Sequence, residues 1–220
     1  DQIQPPIADL LALQQVVPAL GVKVMPGVAD AELPPDCGVE FISHGGVCKE
    51  AVLWFGPLRQ SRKWAALLPR GASTVLQWAG DTPGDEAPLG PLAAGQVLYE
   101  PDCALIRAGC LAGLCRRLQA HLFDPQIAYL VGERLDQTAL EPPPLAQTFV
   151  VEEVHPFSLK LLNRRLQALG VARVELKKRG FPQEPESLRP RLKLAKEGRA
   201  AVVIFTRRGD EHIMILAHRV

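Results

Sequence analysis

Apolar and polar positions alternate along this chain with two different periods, which together predict a mixed α/β fold. Residues 7–17 place apolar side chains at mostly helical spacing and predict an amphipathic helix. The run "LGVKVMPG" that follows predicts a buried strand bounded by Gly and Pro. Two further apolar runs meet at His44-Gly45-Gly46 and predict an antiparallel hairpin, because glycine readily adopts the positive φ angles of tight turns. Residues 64–68 and 73–78 predict two more strands.

The C-terminal part of the chain alternates helices with strands and closes antiparallel. Its predicted elements are one helix that begins after the N-cap Asp102 and contains Cys103, Cys110 and Cys115, strands over 126–132 and 146–154, a helix over 157–170 that stops at Gly170, a strand over 173–179, a short helix or turn over 186–191, and a hairpin over 200–219. Between the two parts, residues 79–95 are rich in Gly, Pro and acidic residues and have no periodicity. We therefore expect one domain over residues 1–78, a loop or linker over 79–95, and a second domain over 96–220.

Composition indicates a soluble globular protein. Hydrophobic residues make up 47% of the 220 positions and charged residues 22%, and no apolar run approaches the roughly 18–20 residues of a membrane span. The N-terminal residues carry no secretory signal pattern, and five cysteines without a CxxC pair favour a reducing compartment over a disulfide framework. We expect a cytoplasmic location, no membrane association and no metal site, since no Cys/His set has zinc-ligand spacing.

Charge is divided unevenly along the chain. The net charge is only +1, but residues 1–157 carry ten Lys/Arg against eighteen Asp/Glu, whereas residues 158–220 carry fifteen against six. Such asymmetry favours an anionic ligand for the basic part. An electrostatic match between two domains of one protein explains the same pattern and stays open.

Catalytic patterns are scarce. The sequence has no GxSxG, HExxH, Walker-type or EF-hand motif, and no two glycines stand at positions i and i+2. A Rossmann-type site for a dinucleotide or S-adenosylmethionine relies on a Gly-rich turn that lets the backbone approach the ligand. Glu152 and Glu153 are adjacent on a predicted strand, so they point to opposite faces and cannot act together. We therefore name no catalytic residue, and cofactor-binding residues stay unknown.

The stretch "RVELKKRGFPQEPESLRPRLKL" at residues 173–194 concentrates positive charge beside a Pro-rich turn. Helix-dipole effects explain some of these charges, because acids stand at the start of the short helix and bases at its end. The remaining cations would suit an RNA phosphate backbone, and the scarcity of aromatic residues favours recognition of folded RNA over single-strand stacking. The expected RNA-contacting residues are Lys177, Lys178, Arg179, Arg189, Arg191 and Lys193, with Arg164, Arg165, Arg207 and Arg208 behind them.

Several segments carry a family resemblance. "EAVLWFGPL", "YEPDCALIRAG", "HLFDPQIAYL", "HPFSLKLLNRRLQALG" and above all "VELKKRGFPQEPESLRPRLKL" followed by "AAVVIFTRRGDEHIMIL" are similar to the C-terminal portion of bacterial class I S-adenosylmethionine-dependent methyltransferase-like proteins with a THUMP-like domain. The resemblance implies a partial Rossmann-like methyltransferase remnant followed by a THUMP-like α+β domain. It also implies that the chain begins late in the catalytic domain.

This resemblance implies a function for the chain as well. THUMP domains are associated with RNA-modifying enzymes, so we expect the RNA-recognition portion of a methyltransferase whose S-adenosylmethionine belongs to the longer parent protein, with no cofactor expected in this chain. One alternative is a protein-interaction module, and an incomplete sheet edge makes a homodimer plausible. A second alternative is a free-standing methyltransferase with an unorthodox cofactor site.

Overall fold

A computed structural model describes residues 7–71, 74–139 and 144–220 of the chain. It confirms a mixed α/β fold with two mixed sheets. The described residues form two compact units that are discontinuous in sequence. The first unit draws on residues 1–86, 101–114 and 140–146, and the second draws on 87–100, 115–139 and 147–220.

The first unit contains a five-stranded sheet. Its elements are α1 (Ile7–Gln14), β1 (Leu20–Val24), β2 (Gly38–His44), β3 (Val47–Phe55), β4 (Lys63–Leu68) and β5 (Leu76–Ala79), with short 3₁₀ helices at Asp30–Glu32 and Gly56–Leu58. The strand order is β1-β3-β2-β4-β5, in which only β2 and β4 are parallel. The predicted hairpin is present between β2 and β3, and Gly45 and Gly46 form its turn with φ values of 58° and 83°.

Two predictions for the N-terminal elements are wrong in detail. Strand β1 is an edge strand with only Val24 fully buried, because exposed positions alternate along it and Lys23 pairs with Glu50 in water. Helix α1 ends at Gln14, three residues before the predicted limit, and Val16 and Val17 are exposed. The helix stops there because Pro18 disfavours helical geometry in the residue before it. Of the predicted strand over 73–78, residue 73 lies outside the described residues.

The single helix predicted after Asp102 is in fact two helices, α2 (Cys103–Ala108) and α3 (Leu111–Leu118). Gly109 breaks it by adopting a left-handed conformation with φ of 73°. The second helix then begins under a separate cap, because Asp81 accepts hydrogen bonds from the backbone N–H groups of Ala112 (2.7 Å) and Gly113 (2.8 Å). Asp102 caps α2 as predicted, and it accepts from Ala104 N at 2.8 Å.

The second unit contains a seven-stranded sheet in the order β10-β11-β12-β9-β6-β8-β7. Its elements are β6 (Val97–Pro101), β7 (Ala120–Leu122), β8 (Leu130–Gly132), β9 (Ala146–Pro156), α4 (Leu159–Ala168), β10 (Val171–Lys178), α5 (Pro185–Leu188), β11 (Arg199–Arg208) and β12 (Glu211–Arg219), with 3₁₀ helices at Gln137–Ala139 and Arg189–Arg191. The predicted closing hairpin is present as β11 and β12, and β10 runs parallel to β11.

Both faces of this sheet are buried along β11, which explains its unbroken apolar run. Val202 and Ile204 lie in one hydrophobic cluster, whereas Val203 and Phe205 lie in a second cluster on the other face. Helix α4 covers the second face with Leu162 and Leu166, both fully buried. Its N-terminus is capped by Ser158, and Gly170 with φ of 61° follows its end, as the sequence predicts. The opposite side of α4 is thereby left to solvent.

The compact units do not follow the expected linear division of the chain. Residues 101–114 belong to the first unit, where Ser43 donates a hydrogen bond to Asp102 at 2.9 Å, although the sequence boundary assigned them to the second domain. Contacts between distant segments decide this grouping, and a sequence boundary cannot show them. The assignment of the N-terminal part as a methyltransferase remnant and of 96–220 as a THUMP-like domain stays a prediction.

Candidate nucleic-acid interface

Two cations of the Lys177-Lys178-Arg179 cluster share one carboxylate in the second unit. Lys177 Nζ lies 2.6 Å from Glu100, and the two side chains are only 15% and 16% exposed. Arg179 lies 3.8 Å from the same carboxylate and stacks over the Tyr129 ring at 5.1 Å. Burial, followed by the charge of Glu100, raises the pKa of the Tyr129 hydroxyl above its usual range. These cations are therefore part of an internal network, and their charge is already neutralised there.

Five more of the ten predicted residues are held by partners on the same unit. Lys178 pairs with Glu184, Arg165 with Glu153, Arg189 with Glu186 and Arg208 with Glu211, while Arg207 donates to Gln126 and to the Gly209 carbonyl. The bond with Arg189 holds the pKa of Glu186 below its usual range. These contacts answer most of the local positive charge with nearby acids.

Arg164, Arg191 and Lys193 differ from the other seven predicted residues. All three are exposed, and none makes an ion pair with another residue in the part of the chain that the structure describes. Lys160, which the sequence analysis did not single out, shares both properties. We call Lys160, Arg164, Arg191 and Lys193 the α4 ridge.

A side-chain clamp brings the four members of the α4 ridge together. Asn163 donates from its amide nitrogen to the Arg191 carbonyl at 3.0 Å, and its amide oxygen accepts from Lys193 N at 2.8 Å. On α4 itself, positions 160, 163 and 164 are neighbours because residues three and four apart share a helix face. Asn163 thus ties the segment that carries two ridge cations to the helix that carries the other two.

The lysine that was missed has a sequence signal. Lys160 stands four residues before Arg164, and the helix over 157–170 was predicted, so the spacing alone places both on one face. The ion pairs that remove Lys177 and Arg165 from the surface have no such signal. Their acids, Glu100 and Glu153, lie in other strands, and only the fold brings them into contact.

The adjacent carboxylates of β9 point to opposite faces, as predicted. Glu152 contacts Arg199 and His218, whereas Glu153 contacts Arg165 and His155. Hydrogen bonds from the two arginines hold the pKa of each carboxyl below its usual range. The two residues therefore serve as separate ion-pair anchors.

Metal and membrane features were examined on the same residues. Among them, no group of three or more His, Cys, Asp or Glu side chains could hold a metal ion. Within the described ranges, none of the helices is long and apolar enough to cross a membrane.

Comparison with known proteins agrees with the class of protein that the fold indicates. Residues 146–219 match the family model described as THUMP domain-like. Two uncharacterized S-adenosylmethionine-dependent methyltransferases from Mycobacterium tuberculosis, of strains CDC 1551 and H37Rv, are each 35% identical to this chain over 193 residues. The match covers 86% of this chain and 50% of each relative, so the chain spans about half the length of the curated relatives it matches.

A solved structure has the same fold. It is a crystal structure from Porphyromonas gingivalis W83, of a protein whose assignment as a methyltransferase is itself provisional, and it superposes with a TM-score of 0.74 at 20% identity. The match covers 97% of this chain and 55% of that chain. The expected resemblance to methyltransferases with a THUMP-like domain is confirmed, and the THUMP-like match lies within the predicted range 96–220.

Proposed function

We propose that this chain is the RNA-recognition portion of an S-adenosylmethionine-dependent methyltransferase, and that the α4 ridge is its phosphate-binding surface. The observation that carries the proposal is the contrast between four unpaired exposed cations and a larger set of cations already neutralised by acids. The THUMP-like match over residues 146–219, which contains both α4 and the clamped segment, supports the same part of the chain.

Unpaired cations suit an RNA backbone better than paired ones. A lysine or arginine that is already bound to a carboxylate must lose that contact before it can neutralise a phosphate, whereas an exposed unpaired cation only releases counterions from the nucleic acid. The clamp at Asn163 also reduces the ordering cost, because it fixes the backbone on both sides of Leu192 before RNA arrives. The ridge offers no base-stacking aromatic residue, which favours recognition of shape and backbone over sequence.

We assign the methyl donor to the parent protein rather than to residues of this chain. The similarity to methyltransferases supports S-adenosylmethionine as the cofactor of the parent. Residues of this chain fit the cofactor poorly, because no Gly-x-Gly turn is available for its close approach. The proposed role of the chain is accordingly to hold RNA, with the chemistry performed elsewhere in the parent.

Fluorescence anisotropy of a folded RNA hairpin across a salt series tests this proposal. The ridge variant carries Lys160→Gln, Arg164→Gln, Arg191→Gln and Lys193→Gln. We expect its log–log salt slope to be shallower than that of the parent by roughly 3 to 4, at about 0.9 per phosphate contact.

The matched control removes the same number of charges from ion-paired positions. It carries Lys23→Gln, Lys178→Gln, Arg189→Gln and Arg208→Gln, each of which pairs with a Glu. We expect this control to keep the parent's salt slope. Equal loss in both variants would mean that net charge alone attracts RNA, and no RNA binding by the parent would favour a protein-interaction module instead.

A further inference from the structure

Two cysteines of the first unit that are far apart in sequence are brought together by two separate contacts. Cys48 on β3 is the ladder partner of Ser43 on β2, and Ser43 donates a hydrogen bond to Asp102, the residue directly before Cys103. Independently, the Cys103 thiol lies 3.7 Å from the carbonyl oxygen of Gly46, two residues before Cys48. Both cysteines are free and partly exposed.

The two thiols are in hydrogen-bonding contact, which makes them chemically unequal. The hydrogen bond from Cys103 lowers the pKa of Cys48, and it outweighs the opposing effects of partial burial and the Asp102 carboxylate. For Cys103, that same contact, burial and the charge of Asp102 all raise the pKa. Because the thiolate is the reactive form of cysteine, Cys48 is the nucleophile of the pair and Cys103 stays protonated beside it.

The other three cysteines provide an internal contrast. Cys37, Cys110 and Cys115 are buried. Burial raises the pKa of Cys37, and it raises the pKa of Cys110 to about 12. A buried thiol that is held protonated is inert toward oxidants.

We propose that Cys48 and Cys103 form a peroxide-oxidised dithiol site that closes reversibly to a disulfide. The Cys48 thiolate attacks one oxygen of hydrogen peroxide, the O–O bond breaks, and the hydroxide that leaves takes a proton to become water. The resulting Cys48 sulfenic acid is attacked by the Cys103 sulfur, which loses its proton as the S–S bond forms and a second water departs. Two thiols are oxidised, one peroxide is reduced to two waters, and a thiol reductant restores the starting state.

The fold gives the site room to close. Cys48 follows the Gly45-Gly46 turn of the β2–β3 hairpin, whose φ values of 58° and 83° suit glycine, and Cys103 is the first residue of α2. A bond between them would tie the hairpin to α2 beside a cleft of about 460 Å³ that Ser43, Gly46 and Asp102 help to line. This site is separate from the α4 ridge and does not depend on the proposed RNA function.

Thiol counting with peptide mapping tests the proposal on the intact chain. The reduced protein is treated with hydrogen peroxide, denatured and alkylated, and we expect the number of alkylated cysteines to fall from five to three. Tryptic mapping is expected to recover one disulfide-linked pair of peptides that contain Cys48 and Cys103, which dithiothreitol then separates. Five alkylated cysteines after peroxide, a bond between any other pair, or Cys48 oxidised beyond sulfenic acid without a bond would overturn the proposal.

Variants separate the two roles within the pair. Cys103→Ser is expected to leave a Cys48 sulfenic acid that dimedone traps, whereas Cys48→Ser is expected to leave Cys103 unreacted. Cys37→Ala is the matched control and is expected to form the same disulfide as the parent, because Cys37 is buried and takes no part in the pair. Dimedone labelling of Cys103 in the Cys48→Ser variant would contradict the assigned roles.

Discussion

Replacement of Lys177 by methionine tests whether this cation belongs to the fold or to the RNA surface. Its amino group lies 2.6 Å from Glu100 and 3.1 Å from Gln147, and it sits over the Phe149 ring at 5.4 Å. Methionine keeps most of the aliphatic stem that packs there but removes the charge. Glu100 would then keep only the longer 3.8 Å contact with Arg179 as a charged partner.

The expected cost follows from how deeply the pair is buried. Removal of one partner from a fully buried pair costs about 3–5 kcal/mol, whereas a fully exposed pair is worth less than about 1 kcal/mol. With side chains 15% and 16% exposed, the Lys177–Glu100 pair lies between these limits, and we expect a loss of about 2 kcal/mol. In a chain of this length that corresponds to a fall in Tm of about 4–8 °C, measured by circular dichroism or differential scanning fluorimetry.

Lys193→Met is the matched control, since Lys193 is exposed and has no ion-pair partner among the described residues. We expect its Tm to stay within about 2 °C of the parent, and its RNA salt slope to fall by about 0.9. Lys177→Met should show the reverse pattern, with lower Tm and unchanged slope. A Lys177→Met variant that melts like the parent and loses RNA affinity as Lys193→Met does would refute the reasoning.

Two further predictions concern stability. Because Arg199 holds the pKa of Glu152 below its unfolded value near 4.5, the stabilisation is complete above that pH and is lost as the pH falls through the folded pKa. Urea titrations below pH 5 should therefore show a steeper loss of stability in the parent than in Glu152→Gln, and parallel curves would contradict this. Gly198→Ala should cost about 1–3 kcal/mol, because φ is 149° and a Cβ would lie 2.0 Å from the Gly170 oxygen. Gly27→Ala, with no atom within 4 Å of its Cβ, is the thermal-melting control and should leave Tm close to the parent value.

Local signals in the sequence predicted the elements that carry the candidate interface. Helix α4 begins at a Ser cap and ends before Gly170, and the closing hairpin turns at Gly209, so capping and turn chemistry sufficed there. The break at Gly109 was within reach of the same rules, since a left-handed glycine commonly ends a helix. The cap that Asp81 places on α3 was not, because it joins residues about thirty positions apart.

The candidate site could be predicted only in part, for a related reason. The sequence located the cations correctly along the chain, but whether a cation is available to a ligand depends on the acid that the fold places beside it. Lys177 meets Glu100 across 77 positions, and no local pattern encodes that contact. Arg164 and Lys193 remain unpaired because the described segments near them bring no carboxylate into range.

Backbone NMR of ¹⁵N-labelled protein titrated with the RNA hairpin tests the central claim most directly. If the α4 ridge binds phosphate, the amide resonances of residues 160–164 and 191–193 should shift together and saturate at the affinity seen by anisotropy. Those of residues 177–179 should move little, because their side chains stay bound to Glu100 and Glu184. Shifts concentrated at 177–179 and 207–208, with the ridge unaffected, would contradict the account.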